Sequence, residues 1–113
     1  MRIDILTLFP GMFAGVLGES MLRIAQEKNK LAVVVTNIRD FTTDRHKTVD
    51  DRPYGGGPGM VMKPEPLVKA VRAVRELVPG DPGRLLMMCP RGRRFDQACA
   101  RELSGASRLI FIE

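Results

Sequence analysis

The sequence predicts an α/β protein, a mostly parallel sheet with flanking helices. Three observations lead there. Four short, largely aliphatic runs, Arg2 to Leu8, Leu31 to Ile38, Arg84 to Cys89 and Leu109 to Ile112, read as strands. Between them lie segments whose apolar residues recur at helical spacing, and strands separated by helices imply parallel β-α-β units with right-handed crossovers. The length, 113 residues with 44% apolar content, suits one domain with a modest core.

Each element has its own signal. In the first strand, Ile3, Ile5 and Thr7 share one face and Asp4, Leu6 and Leu8 the other, so Asp4 is the residue that would resist full burial. Phe9-Pro10 ends the strand, and Met12, Phe13, Val16 and Leu17 mark the apolar side of a short helix closed by Gly18. Ser20 is the expected cap of a second helix running to about Lys28, with Leu22 and Ala25 inward. Leu31 to Ile38 is apolar on both alternating faces and rich in β-branched residues, which predicts a strand in the middle of a covered sheet.

Pro64 and Pro66 sit where a helix begins, and Leu67, Val71, Val74 and Val78 form its inward stripe while Lys69, Arg72, Arg75 and Glu76 lie elsewhere. Pro79 to Gly83 stops it. Arg84 to Cys89 reads as a buried third strand, which makes Met87 and Met88 core residues first and pocket wall second. Asp96 caps a short helix through Leu103, and Leu109 to Ile112 is the fourth strand. In parallel sheets ligands gather beyond the carboxyl ends of strands, which points to Arg39 onward, to Cys89-Pro90-Arg91 and to whatever follows Glu113.

One stretch stands apart from this scaffold. From Asp44 to Arg52 the chain carries Arg45, Lys47 and Arg52 beside Asp44, Asp50 and Asp51, with His46, the sole histidine, among them. The charges then give way to Tyr54 and to Gly55, Gly56, Gly57 and Gly59, interrupted by Pro58. Glycines let a backbone approach a ligand closely, while the prolines at 53 and 58 limit their freedom. With cations adjacent, the expected partner is anionic. A phosphate-binding P-loop is disfavoured, because Met60-Val-Met-Lys63 replaces the Gly-Lys-Ser/Thr that enters a helix there. By themselves, Asp50 and Asp51 beside Arg52 also read as a solvated ion-pair cluster, and Arg91, Arg93 and Arg94 as either phosphate contacts or a basic exposed turn.

Composition narrows the setting. A formal charge of +5 favours a polyanionic partner. Two cysteines, Cys89 and Cys99, suggest neither a disulfide framework nor a zinc site, and a reducing cytosol fits best. They read as small packing residues. His46 has no neighbouring cysteine or second histidine, so no metal site is expected. The amino terminus resembles neither a signal sequence nor a membrane span.

Several of these residues also carry a family resemblance. Leu8-Phe9-Pro10-Gly-Met-Phe13, Arg39-Asp40-Phe41, Asp44-Arg45-His46, the thirteen-residue run Thr48 to Met60, Pro90-Arg-Gly92 and Asp96-Gln97 resemble the amino-terminal part of the bacterial tRNA (guanine-N1)-methyltransferases. The resemblance spans essentially the whole chain. It implies a trefoil-knotted SPOUT methyltransferase domain of which residues 1–113 are the amino-terminal part, the knot-forming segment and a C-terminal helical domain lying beyond Glu113. It further implies S-adenosylmethionine as methyl donor, magnesium assistance, a homodimer, a cytoplasmic location, and tRNA as substrate, methylated at the guanine 3′ to the anticodon. A chain that stops on a hydrophobic strand is expected to be a fragment, inactive alone.

Residue roles follow from the resemblance alone. Met87, Met88, Cys89 and Pro90 should wall the donor site, with Gly59; the family usually has a hydroxyl residue at the position of Cys89 and a tyrosine or similar at that of Met87. Arg45, His46, Tyr54, Gly55, Gly56 and Gly57 should meet the RNA. Asp50 and Arg52 should take supporting catalytic roles, the main general base lying beyond Glu113. A noncatalytic RNA-binding module is the alternative, and it predicts salt-sensitive tRNA binding without donor binding.

Overall fold

A computed structural model describes residues 1–42, 50–51 and 61–113, with the backbone alone at 50–51 and 61–62. The strand β1 (Arg2–Thr7) is followed by a 3-10 turn over Pro10–Met12 and one short helix, α1 (Ala14–Leu17). The expected helix from Met12 thus begins later, because Pro10 opens a tighter turn first. Next comes α2 (Ser20–Glu27), whose N-cap is Glu19 and makes no side-chain cap bond. Ser20 does not cap it. It is the first helical residue and holds φ 55°, a left-handed conformation that takes its hydroxyl out of the capping role.

Strand β2 (Ala32–Asn37) leads into a 3-10 turn, Ile38–Phe41, capped by the Asn37 side chain accepting from the Arg39 amide at 3.0 Å. The two-residue strands β3 (Asp50–Asp51) and β4 (Val61–Met62) pair antiparallel. Then follow α3 (Pro64–Glu76), β5 (Arg84–Met87), α4 (Gln97–Ser104) and β6 (Arg108–Ile112). Asp96 caps α4 as its sequence position predicts, Oδ1 accepting from the Cys99 amide at 2.8 Å.

The main sheet has the order β2-β1-β6-β5 and is parallel throughout, so the expected fold class holds. Two strand positions differ from expectation. β2 lies at an edge, since β6 takes the other side of β1; its two apolar faces are half-buried, not enclosed. β5 forms the opposite edge, stops at Met87, and is largely exposed instead of buried. Met87 and Met88 are accordingly 61% and 55% exposed and are not core.

The core lies under α3. Leu6 of β1, Ile110 and Ile112 of β6, Ile38 of the 3-10 turn, and Ala70 and Val74 of α3 form one buried cluster, with Leu67 and Val71 packed against it. Each large aliphatic side chain withdrawn this way contributes about 1.5–3 kcal/mol. On the opposite sheet face Leu17 of α1 and Leu22 of α2 line one hollow with Ile3 and Ile5 of β1, and Leu103 of α4 lines another with Phe111 of β6.

Asp4 is wholly buried, against expectation. Its carboxylate accepts from Arg108 Nε at 3.0 Å and from Arg2 Nε and Nη2 at 3.0 and 3.1 Å. Arg108 also donates through both terminal nitrogens, Nη1 to the Arg75 and Asp81 carbonyls and Nη2 to that of Val74. The buried charge is therefore paired and its hydrogen bonds are filled, the condition under which such burial is tolerated.

Candidate functional site at the carboxyl edge of the sheet

Because the four main strands run parallel, their carboxyl ends share one edge. There Thr7 Oγ1 accepts from the Phe9 amide at 3.0 Å and shapes the departure from β1. The ladder continues past the strand ends: the Met88 amide donates to the Ile112 carbonyl at 3.0 Å, and the Glu113 amide donates to the Leu6 carbonyl at 2.9 Å. The first bond fixes the Met88 corner to the end of β6, and the second holds that end against β1. The chain then turns at Pro90, where the Gly92 amide donates to the Cys89 carbonyl at 3.3 Å.

Two hollows meet at this corner, and both are lined by Met88 and Phe111. One, of about 290 Å³, is a mainly apolar groove against α1 and α2, walled by residues such as Ile5, Phe13 and Leu22, with Glu113 at its edge. Leu22 therefore does face inward, though it stays 37% exposed at the rim. The other, of about 280 Å³, lies between the end of β5 and the start of α4 and is lined by Met87, Cys89, Arg93, Phe95 and Cys99. The structure thus places Met87, Met88 and Cys89 together on the second hollow, with exposed Pro90 in the adjoining turn.

A charged triad borders this hollow. Glu102 accepts from Arg84 Nη2 at 2.8 Å and from Arg93 Nη2 at 2.9 Å, and these bonds, Arg84's first, hold its carboxyl below the usual glutamate value. The Arg93 guanidinium is pushed up by its hydrogen bond to the Cys99 sulfur, at 3.2 Å, and then by Glu102. Of the three arginines in the basic turn, Arg93 is engaged internally, whereas Arg91 and Arg94 are exposed and form no ion pair among the described residues.

Phe95 was not singled out by sequence reasoning. It is 68% exposed and lines the hollow, and its setting between Arg94 and the helix cap Asp96 is the signal that could have found it. Asp50 lies in β3, its backbone paired with Met62. Arg45, His46, Arg52, Tyr54, Gly55, Gly56, Gly57 and Gly59 fall outside the described residues, as does the side chain of Asp50. Among the described residues no cluster of three or more histidine, cysteine or carboxylate groups could hold a metal ion, and no helix is long and apolar enough to cross a membrane.

Known proteins match this arrangement along its length. The family described as tRNA (Guanine-1)-methyltransferase TrmD matches residues 1–113. A tRNA (guanine-N(1)-)-methyltransferase of Carboxydothermus hydrogenoformans is 55% identical over 112 residues, 99% of this chain and 43% of the relative. One from Chloroflexus aggregans is 54% identical over 113 residues, 44% of its length. Among solved structures, the tRNA (m1G37) methyltransferase from Aquifex aeolicus superposes with a TM-score of 0.88 at 34% identity, covering 99% of this chain and 50% of that one. The chain therefore spans about half the length, or slightly less, of the relatives it matches, which fits an amino-terminal portion. With a match over all of its residues and a shared fold, the chain belongs to the tRNA (guanine-1)-methyltransferase family.

Proposed function

We propose that the protein carrying this chain transfers a methyl group from S-adenosylmethionine to N1 of the guanine 3′ to the anticodon of tRNA. It acts as a cytoplasmic homodimer with magnesium assistance. Residues 1–113 supply the amino-terminal part of a SPOUT domain, and the knot-forming segment and a helical domain complete it, so the isolated chain is inactive. The observation that carries this reading is the family match over all 113 residues, joined to a ligand-sized hollow at the carboxyl edge.

The hollow beside Met87 and Cys89 is walled by thioether and aromatic groups and edged by strand-end backbone, a fit for a purine ring. Met87, Met88, Cys89 and Pro90, with Gly59, hold the adenosyl end of the donor. Since the Met88 amide is already committed to Ile112, ring contacts come from other backbone groups of the corner and from side-chain packing. The donor, when bound, supplies an electrophilic methyl on a sulfonium. Arg45, His46 and Tyr54 grip the RNA, and Gly55, Gly56 and Gly57 let its backbone come close.

Guanine N1 carries a proton at neutral pH, and its electrons become available only as a base removes that proton. The main base comes from outside residues 1–113. Asp50 orients and electrostatically supports the step, and Arg52 stabilises the charge that develops toward O6. Alignment supplies most of the remaining acceleration.

The test uses the full-length protein with tRNA and methyl-labelled donor, followed by nucleoside analysis. The expected product is 1-methylguanosine at that single position. Salt-sensitive tRNA binding with neither donor binding nor methylation would identify a noncatalytic RNA-binding module instead. Asp50→Ala with unaltered kcat and unaltered RNA affinity would remove Asp50 from the mechanism.

A further inference from the structure

The two cysteines of the chain line the same hollow, Cys89 just beyond the end of β5 and Cys99 in α4. Cys89 is exposed at the end of β5, and Gly92 comes so close that a Cβ there would lie 3.5 Å from the Cys89 sulfur. Cys99, half-buried in the first turn of α4, has its amide fixed by Asp96 and its sulfur hydrogen-bonded by Arg93, the residue next to Gly92. One tight turn thus carries Cys89 at its start and, at its end, the guanidinium that holds Cys99. Neither thiol is needed for the methyl transfer described above, in which Cys89 contributes only wall.

We propose that Cys89 and Cys99 form a peroxide-responsive dithiol that closes across this hollow. Cys99 is the attacking thiol, because the Arg93 guanidinium is held 3.2 Å from its sulfur, a fixed cation beside the atom that attacks. The Cys99 sulfur displaces one peroxide oxygen, the O–O bond breaks, and a sulfenic acid and one water result. The Cys89 sulfur then attacks the sulfenic sulfur, the S–O bond breaks, and a second water leaves as the disulfide forms. Two thiols together lose two electrons and hydrogen peroxide is reduced to two waters. The link ties the end of β5 to the start of α4 and fills the hollow between them.

Tryptic mapping of the full-length protein reads this directly, since cleavage separates Leu85–Arg91 from Phe95–Arg101. Hydrogen peroxide should join these two peptides, and dithiothreitol should release them. Cys89→Ser should stop at a trappable sulfenic acid on Cys99, and Cys99→Ser should leave Cys89 open to iodoacetamide. Arg93→Gln should slow joining several-fold, while Arg94→Gln, the same charge change one residue away, should not; circular dichroism confirms that each variant is folded. The proposal is overturned if both peptides are alkylated singly after peroxide treatment, or if joining proceeds equally fast in the Arg93 and Arg94 variants.

Discussion

The Arg108 guanidinium donates through Nε to the Asp4 carboxylate at 3.0 Å, with both side chains at most 1% exposed. This pair joins the two central strands, and through the carbonyls of Val74, Arg75 and Asp81 it also ties the sheet to the end of α3. Removing Arg108 leaves the buried Asp4 carboxylate with the partly exposed Arg2 alone and takes the donor from the Val74, Arg75 and Asp81 carbonyls. Arg108→Ala should therefore cost about 3–5 kcal/mol, read from urea unfolding. Arg2→Ala should cost much less, because Arg2 is 30% exposed and Asp4 keeps Arg108.

Gly83 and Gly80 both hold positive φ, 75° and 89°, yet they should respond differently to alanine. A Cβ at 83 would stand 3.2 Å from the Arg108 side chain and from Ile110, whereas one at 80 meets nothing within 4 Å. Gly80→Ala should cost only the left-handed strain, about 1–2 kcal/mol. Gly83→Ala should cost more, since it also displaces the guanidinium on which Asp4 depends. Paired thermal denaturation of the two variants checks the order.

The Asp96 cap is separable from the hollow it borders. Asp96→Ala should destabilise by about 0.5–2 kcal/mol and raise amide exchange in the first turn of α4, with Asp96→Asn retaining most of the stability. A uniform rise in exchange across β6 as well would contradict a purely local cap.

Glu102 gives a pH signature. Its folded carboxyl titrates below the ordinary value of 4.5, so its contribution is present above that value and is lost as pH falls through the lower folded one. Glu102→Gln should lower stability slightly at neutral pH, where the contribution is present, and converge on the parent once pH has fallen below the folded value, so that the acid limb is flatter in that window. The group is exposed, so added salt should shrink the difference.

Local chemistry made much of the fold legible. Aliphatic runs marked the strands, the apolar stripe of Leu67, Val71 and Val74 marked α3, and Asp96 marked the start of α4. What failed was position within the sheet. An apolar run such as Ala32 to Asn37 looks alike at an edge and in the centre, and only the insertion of β6 between β1 and β5 decides which. Asp4 was misjudged for a related reason: its partner Arg108 lies 104 residues away, and no local pattern announces the pair. At the candidate site, the carboxyl-edge rule pointed to Cys89-Pro90-Arg91 because it depends on strand direction alone, and the structure has a hollow beside that turn. The Arg93–Cys99 contact was illegible, since it needs the fold to bring a turn beside a helix start.

The account turns on whether the donor seats at the corner formed by Met87 and Met88. Methionine-methyl NMR of the full-length protein, titrated with unlabelled S-adenosylmethionine, measures this, with Met12 and Met21 as exposed references in the α1 and α2 region. The account predicts saturable shifts of the Met87 and Met88 methyls with Met12 and Met21 unmoved. Saturation of donor binding with the Met87 and Met88 signals unchanged would contradict it.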